Sequence, residues 1–168
     1  MSTDVLQEQI AYYRARAGEY DEWFYRRGRY DYGTKANAEW FAEAAEVMKA
    51  LAAIGPVGET LELACGTGIW TRELLKISQE VTAIDAAPEM LAQHRQNIPN
   101  PHVIRQQANI FNWVPSQEYD LVFFSFWLSH VPPGRCDAFL AKAVRAVRPG
   151  GHLFIVDSRF SEQSGARG

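Results

Sequence analysis

Leu61-Glu62-Leu63-Ala64-Cys65-Gly66-Thr67-Gly68-Ile69-Trp70-Thr71 runs from an apolar strand through a glycine-rich turn into a helix. Gly66 and Gly68 let the backbone bend sharply and admit a ligand close to main-chain atoms that a Cβ would cover. The helix that follows presents unpaired N–H groups and the positive end of its dipole, which favours a carboxylate or another polar group nearby. A G-x-G pair also makes ordinary strand-to-helix turns, so this stretch alone leaves a ligand crevice and a plain turn both open.

Outward from it, the rhythm after Gly58 is one of short apolar runs alternating with amphipathic ones, the pattern of a parallel sheet covered by helices. The strands expected are Thr60 to Ala64, Val81 to Ile84, His102 to Gln106, Asp120 to Ser125 and His152 to Val156. Helices fit between them over Trp70 to Ile77, Pro88 to Asn97 and Arg135 to Val147, the last closed by Arg148-Pro149-Gly150-Gly151. Toward the N-terminus, Val5, Leu6, Ile10 and Tyr13 share one face of a helix expected from Asp4 to Arg16. Gly18 to Gly33 is dense in Tyr, Trp and Arg and reads as an irregular lid. Lys35 to Ala53 is a long amphipathic helix stopped by Gly55-Pro56. The chain therefore divides into a helical cap over residues 1–56, an α/β core over 57–157 and a polar tail over 158–168.

Composition narrows the function. The 168 residues are 47% hydrophobic and 22% charged, enough apolar material for one core. The formal charge of -3 offers no broad basic field for a phosphate backbone, so nucleic acid is not an expected partner. Arg14, Arg16, Arg26, Arg27 and Arg29 make the N-terminal segment locally positive, which fits a solvated face. Cys65 and Cys136 are the two cysteines and lack the spacing of a zinc site or redox pair; with no apolar run of about eighteen residues, a reducing, cytoplasmic setting away from membranes is expected. His94, His102 and His152 are too scattered to suggest a metal.

Three neighbours bear on the glycine turn. Asp85 ends the next strand, where a carboxylate can accept the hydrogen bonds of both ribose hydroxyls; it is equally suited to capping the helix that begins at Pro88. Ala108-Asn109-Ile110 follows the third strand and is either a plain turn or a grip on an adenine edge and face. Tyr119 to Ser125 is a buried strand whose C-terminal end lies beside the glycine turn if the sheet reverses order there.

At this point the chain resembles a family. Glu62-Leu63-Ala64-Cys65-Gly66-Thr67-Gly68 is similar to the first motif of class I S-adenosylmethionine-dependent methyltransferases, E/D-x-x-x-G-x-G. Asp85 with Ala86, Ala87, Pro88, Glu89, Met90 and Leu91 resembles their acidic second motif, Asp120-Leu121-Val122 their fourth strand, and Arg148-Pro149-Gly150-Gly151 the turn before their fifth. The resemblance spans Glu59 to Asp157. It implies a Rossmann-like, doubly wound and mostly parallel sheet of order 3-2-1-4-5 with N-terminal helices as a cap, and S-adenosyl-L-methionine as cofactor for methyl transfer to a small-molecule acceptor. It implies that Glu62, Ala64, Gly66 and Gly68 lie near the methionine part, Asp85 on the ribose, Ala86, Met90, Asn109 and Ile110 around adenine, and Ser125 and Phe126 on the floor. Tyr12, Tyr20 and Tyr32 are candidates to cap the site, although packing on the sheet explains such aromatics equally well. His130 is a candidate general base, or a histidine hydrogen-bonded within its loop.

The chain departs from the family in having Asn109 where an aspartate is usual, and in ending soon after Val156, before the family's final antiparallel hairpin. A truncated chain with an exposed fifth-strand edge, open to self-association, is expected. Two other readings stay open: a binding module without catalysis, and a nicotinamide-dependent oxidoreductase, against which Thr71 occupies the third glycine-like position.

Overall fold

Apolar alternation in Tyr119–Ser125 buries both faces of that strand: Leu121 and Phe123 pack to one side, Val122 and Phe124 to the other, all at 0% exposure. A strand sealed on both faces requires helices above and below it, which is the layered arrangement observed. The computed structural model describes residues 7, 8, 11 and 18–158. Tyr12, most of the helix expected over Asp4 to Arg16 and the tail beyond Ser158 lie outside the described residues.

The elements run α1 (residues 18–24), a 3-10 turn Gly28–Tyr30, α2 (Thr34–Ala52), β1 (Val57–Leu63), α3 (Ile69–Leu74), β2 (Ser78–Asp85), α4 (Pro88–Asn97), β3 (Val103–Gln107), β4 (Tyr119–Ser125), a 3-10 turn Leu128–His130, α5 (Pro133–Arg145) and β5 (Val147–Val156). The strands form one sheet of order β3-β2-β1-β4-β5, and every pairing is parallel. The chain winds one way from β1 through β3 and the other way from β4 to β5, so order reverses between β1 and β4. Ligand crevices of open α/β sheets form at the carboxyl ends of such a pair. One face is covered by α1, α2 and α3 through Phe24, Leu51, Trp70 and Leu74, the other by α5 and the loop after β3 through Phe139, Ala143, Ile110 and Trp113. No helix among the described residues is long and apolar enough to cross a membrane.

The sequence places strand interiors well and their N-terminal ends poorly. β1 begins at Val57, three residues before the expected Thr60, because the Gly58 and Glu59 N–H groups donate to Asp120 Oδ2 at 3.1 and 2.9 Å, an acceptor supplied by β4. β5 begins at Val147, not His152: Tyr119 pairs with Val147 and Leu121 with His152, so residues 148–151 bulge opposite Asp120. The Arg148-Pro149-Gly150-Gly151 segment is therefore part of the strand. A Cβ on Gly151 would stand 2.7 Å from the Asp120 carbonyl oxygen, which explains the glycine. Out of the bulge, Arg148 reaches Asp120 Oδ1 at 2.7 Å and Glu59 Oε2 at 3.0 Å. The segment 18–33, expected to be irregular, holds the helical turns of α1 and the 3-10 turn.

Asp120 thus ties β1, β4 and β5 together at the end of the sheet away from the crevice. The Glu59 N–H and the Arg148 guanidinium hold its carboxyl below the usual aspartate range. Asp120→Ala is expected to cost about 1–3 kcal/mol of unfolding free energy, read as a lower urea midpoint. A carboxyl with a depressed pKa stabilises the fold above its unfolded-state pKa and loses that effect as pH falls through the folded value, so wild type and variant should converge in acid. Equal midpoints at neutral pH would remove Asp120 from this role.

Candidate functional site

Three departures from ordinary backbone, at alternate residues, turn the end of β1 into a crevice. Ala64, Gly66 and Gly68 have φ of 54°, 57° and 98°, and α3 starts immediately after them. A left-handed conformation is costly for a residue with a Cβ, about 1 kcal/mol, so Ala64 holds strain that its surroundings impose. The two glycines serve different ends. A Cβ on Gly66 would meet nothing within 4 Å, because it faces the crevice, whereas one on Gly68 would stand 2.7 Å from Ile98 Cγ1 at the end of α4.

Asp85, at the tip of β2, locks the turn. Its Oδ2 accepts the Gly66 N–H at 3.0 Å and its Oδ1 the Ala87 N–H at 2.9 Å. Burial pushes its carboxyl up, and the N–H groups of Ala87, Gly66 and Ala86 oppose that shift. The tips of β1 and β2 are thus joined through one carboxylate beside the point of sheet reversal.

A cavity of about 520 Å³ opens there. Ala64, Gly66, Asp85, Ala86 and Met90 form one wall, Asn109 and Ile110 a second, Ser125 and Phe126 the floor, and Tyr20, Tyr32 and His130 lie on the cap and rim. Asn109 Oδ1 accepts the Phe111 N–H at 3.0 Å, so the residue builds its own turn as well as lining the cavity. Tyr20 sends its hydroxyl toward Ser125, and burial pushes it well above its usual range. Tyr32 is 61% exposed, on the rim. His130 ends the exposed 3-10 turn after β4. Tyr12 lies outside the described residues.

Glu62 and Gly68 stand behind the wall rather than on it. Gly68 is covered by Ile98 and His94. Glu62 belongs to the strand face under α3, is 2% exposed, and accepts the Thr71 Oγ1 hydrogen bond at 2.5 Å. Burial raises its carboxyl to about 8, with Thr71 opposing and Asp85 adding to the shift.

Several wall residues escaped the sequence reading. Trp23, Ile69 and Trp70 carry the cap's aromatic packing onto the floor, and Phe126, at φ 51°, meets Trp23 edge-on at 4.9 Å. Asp21 Oδ1 accepts the Thr67 hydroxyl at 2.5 Å, fastening α1 to the glycine turn. At the rim, Asp157 accepts the Ser129 N–H at 2.9 Å and its hydroxyl at 3.0 Å, linking the tips of β4 and β5. The signal for that pair was available only from strand order, since Ser129 and Asp157 both follow neighbouring strands.

Residues 60–151 match the methyltransferase domain family, and the chain belongs to it, with the class I S-adenosylmethionine-dependent fold. It is 37% identical to the protein of the DhpI–SAH complex, covering 94% of this chain and 71% of that one at a TM-score of 0.77, and 36% identical to that of the DhpI–SAM–HEP complex, covering 98% and 71% at 0.77. SAM and SAH denote S-adenosyl-L-methionine and S-adenosyl-L-homocysteine. An uncharacterized methyltransferase of Synechocystis is 30% identical over 105 residues, 62% of this chain and 49% of that protein. The biotin biosynthesis bifunctional protein BioCD of Bordetella avium is 35% identical over 130 residues, 76% of this chain and 27% of that protein. The chain spans about half the length, or less, of these curated relatives.

The raised carboxyl of Glu62 has a thermodynamic consequence. A folded-state value near 8 against 4.5 unfolded means that the native protein binds the extra proton between those limits, so this group's contribution falls as pH rises through them. His94, lowered from 6.5 to about 4 by burial, acts oppositely and only below 6.5. Between pH 6.5 and 8 the His94 effect is absent, and Asp85, also raised by burial, acts in the same sense as Glu62. Glu62→Gln should remove a stability loss of up to about 2 kcal/mol across that window, measured by urea unfolding at several pH values. A parallel pH dependence in variant and wild type would contradict the assignment.

Proposed function

We propose that the chain binds S-adenosyl-L-methionine in the cavity at the β1–β4 reversal and transfers its methyl group to a small-molecule acceptor. The observation that carries this reading is the Gly66 N–H···Asp85 contact at 3.0 Å, which brings the glycine bend and the acidic strand tip onto one cavity. The fit is favourable on the chain's own terms. Gly66 leaves open the space a side chain would fill, the walls at Ala86, Met90 and Ile110 suit a flat apolar ring, and Asp85 keeps lone pairs beyond those used by Gly66 and Ala87.

When bound, the cofactor supplies a methyl group on a sulfonium sulfur, open to direct in-line displacement. The chain's residues orient and enclose it. Asp85 would accept hydrogen bonds from the ribose, Ala86, Met90, Asn109 and Ile110 would hold the adenine, and Glu62, once ionised, would lend negative charge beneath Ala64 and Gly66 at the methionine end. Ser125 and Phe126 form the floor, and Tyr20 and Tyr32 exclude water from above; holding the partners in line then supplies much of the rate. His130 at the rim takes the proton that the acceptor's nucleophile releases. In this reading residues 1–56 are the cap and 57–157 the cofactor core.

A nicotinamide cofactor is disfavoured by Thr71, which is buried and donates its hydroxyl to Glu62, closing the helix start where a dinucleotide turn keeps a small residue for close approach.

Calorimetry with S-adenosylmethionine, S-adenosylhomocysteine and NADH tests the cofactor. Binding of both sulfur ligands without NADH is expected, and Asp85→Ala should weaken it about 10- to 100-fold. Tight NADH binding alone would overturn the assignment. In a radiolabelled methyl-transfer assay against a panel of small acceptors, His130→Ala should lower kcat by about 10²- to 10⁴-fold with the cofactor affinity unchanged. Ligand binding without transfer to any acceptor would favour a non-catalytic module.

A further inference from the structure

Behind the cavity wall, four elements contribute one side chain each to a continuous buried chain of hydrogen bonds: Arg105 of β3, His94 of α4, Thr71 of α3 and Glu62 of β1. Arg105 Nε donates to His94 Nδ1 at 2.9 Å, His94 Nε2 lies 2.8 Å from Thr71 Oγ1, and Thr71 Oγ1 donates to Glu62 Oε2 at 2.5 Å. A second guanidinium nitrogen, Nη2, donates to the Ile98 carbonyl oxygen, anchoring Arg105. His94 and Thr71 are 0% exposed, and Arg105 is half-buried at the sheet edge.

The direction of this chain is dictated from its outer end. A guanidinium only donates, so His94 Nδ1 must accept and the single proton of the neutral ring sits on Nε2. That N–H is spent on Thr71 Oγ1, which therefore turns its own proton to Glu62. The result is that Glu62 Oε2 can only accept, and any proton on this carboxyl is confined to Oε1. Donation to a carboxylate stabilises its charged form.

We propose that His94 and Arg105 are positioning residues: through Thr71 they fix the orientation of Glu62 and favour its ionised form, so that its charge attracts the cationic methionine end of the bound cofactor. The inference rests on the reading of the cavity as an S-adenosylmethionine site. The relay has a load to oppose. Glu62 is faced by Asp85 from β2, by Tyr20 from the cap and by Cys65 from the turn, none of which favours a second negative charge, and burial acts in the same sense. Arg105 faces His94, Arg95 and Cys65, and burial together with the Arg105 charge keeps the imidazole neutral. The elements that build the relay are also those that build the crevice, since a Cβ on Gly68 would press on Ile98 and on His94 Cδ2, 3.3 Å away.

The test begins on the ligand-free full chain, where it does not depend on activity. Carboxyl ¹³C NMR should give a Glu62 titration midpoint near 8 in the wild type, and ring ¹⁵N shifts should report the Nε2–H tautomer of His94 above pH 5. Thr71→Val and Arg105→Met should raise the Glu62 midpoint by about one pH unit, and Arg105→Met should also mix the His94 tautomers. His94→Gln keeps a donor for Thr71 and should hold the midpoint near the wild-type value. Calorimetry with S-adenosylmethionine, which carries the sulfonium charge, at pH 7.5 should then show about tenfold weaker binding in the two disruptive variants and near-normal binding in His94→Gln. An unchanged Glu62 midpoint in Thr71→Val, or an Nδ1–H tautomer in the wild type, overturns the relay even if thermal stability falls. Failure of the wild type to bind S-adenosylmethionine while the NMR titrations behave as expected overturns the cavity's assignment instead.

Discussion

The hydrogen bond from the Gly66 N–H to Asp85 Oδ2 is the contact on which the crevice depends. It adds a side-chain bond across two strand tips that the backbone joins through the Cys65 N–H and the Ile84 carbonyl oxygen at 3.0 Å. To reach it, the chain leaving β1 passes through left-handed φ at Ala64 and Gly66, and then at Gly68 before α3 can begin. The carboxylate repays that strain with two backbone N–H bonds of its own, at Gly66 and Ala87, and the second also sets the entry into α4. One side chain therefore orients the glycine turn, the start of a helix and the cavity wall between them.

Two aspartates show how the sheet treats its opposite ends. Asp120, at the amino end, is partly exposed and served by Glu59 and Gly58 N–H groups and by Arg148, which hold its carboxyl low. Asp85, at the carboxyl end, is also served by backbone N–H groups, yet burial prevails and pushes it up. The amino end is braced by charge and closed, while the carboxyl end gathers Asp85 and Glu62 without a cation on the cavity wall among the described residues. Carboxyls held poorly solvated beside an opening ionise more readily when a cationic ligand enters.

The cap completes the enclosure by aromatic packing and a few directed bonds. Trp23 meets Phe126 and Trp40, the Trp40 indole donates to the Phe24 carbonyl oxygen at 2.9 Å, and the Arg26 guanidinium lies 3.7 Å from the Trp40 ring centroid. Arg26 itself takes φ 54°, so the chain turns sharply after α1 to bring residues 28–33 over the cavity mouth. Together with the Thr67–Asp21 bond, these contacts couple the position of the cap to the glycine turn beneath it.

Periodicity and turn chemistry in the sequence determined the alternation of strands and helices, the glycine bend and the acid at the tip of β2, because each is written within one strand, one turn or one helix start. Both-face burial made the interior of β4 legible from Leu121 to Phe124. Only the tertiary structure decided where β1 and β5 begin, that Glu62 and Gly68 sit behind the wall, that Ser129 meets Asp157, and that Arg105, His94 and Thr71 converge on Glu62. Those features depend on side chains from separate elements, 9 to 28 residues apart along the chain in the Thr71–Glu62 and Ser129–Asp157 bonds. Local sequence specifies the conformation of each segment, whereas the partner of a buried polar group is chosen by which strand tips and helix faces the sheet order brings together.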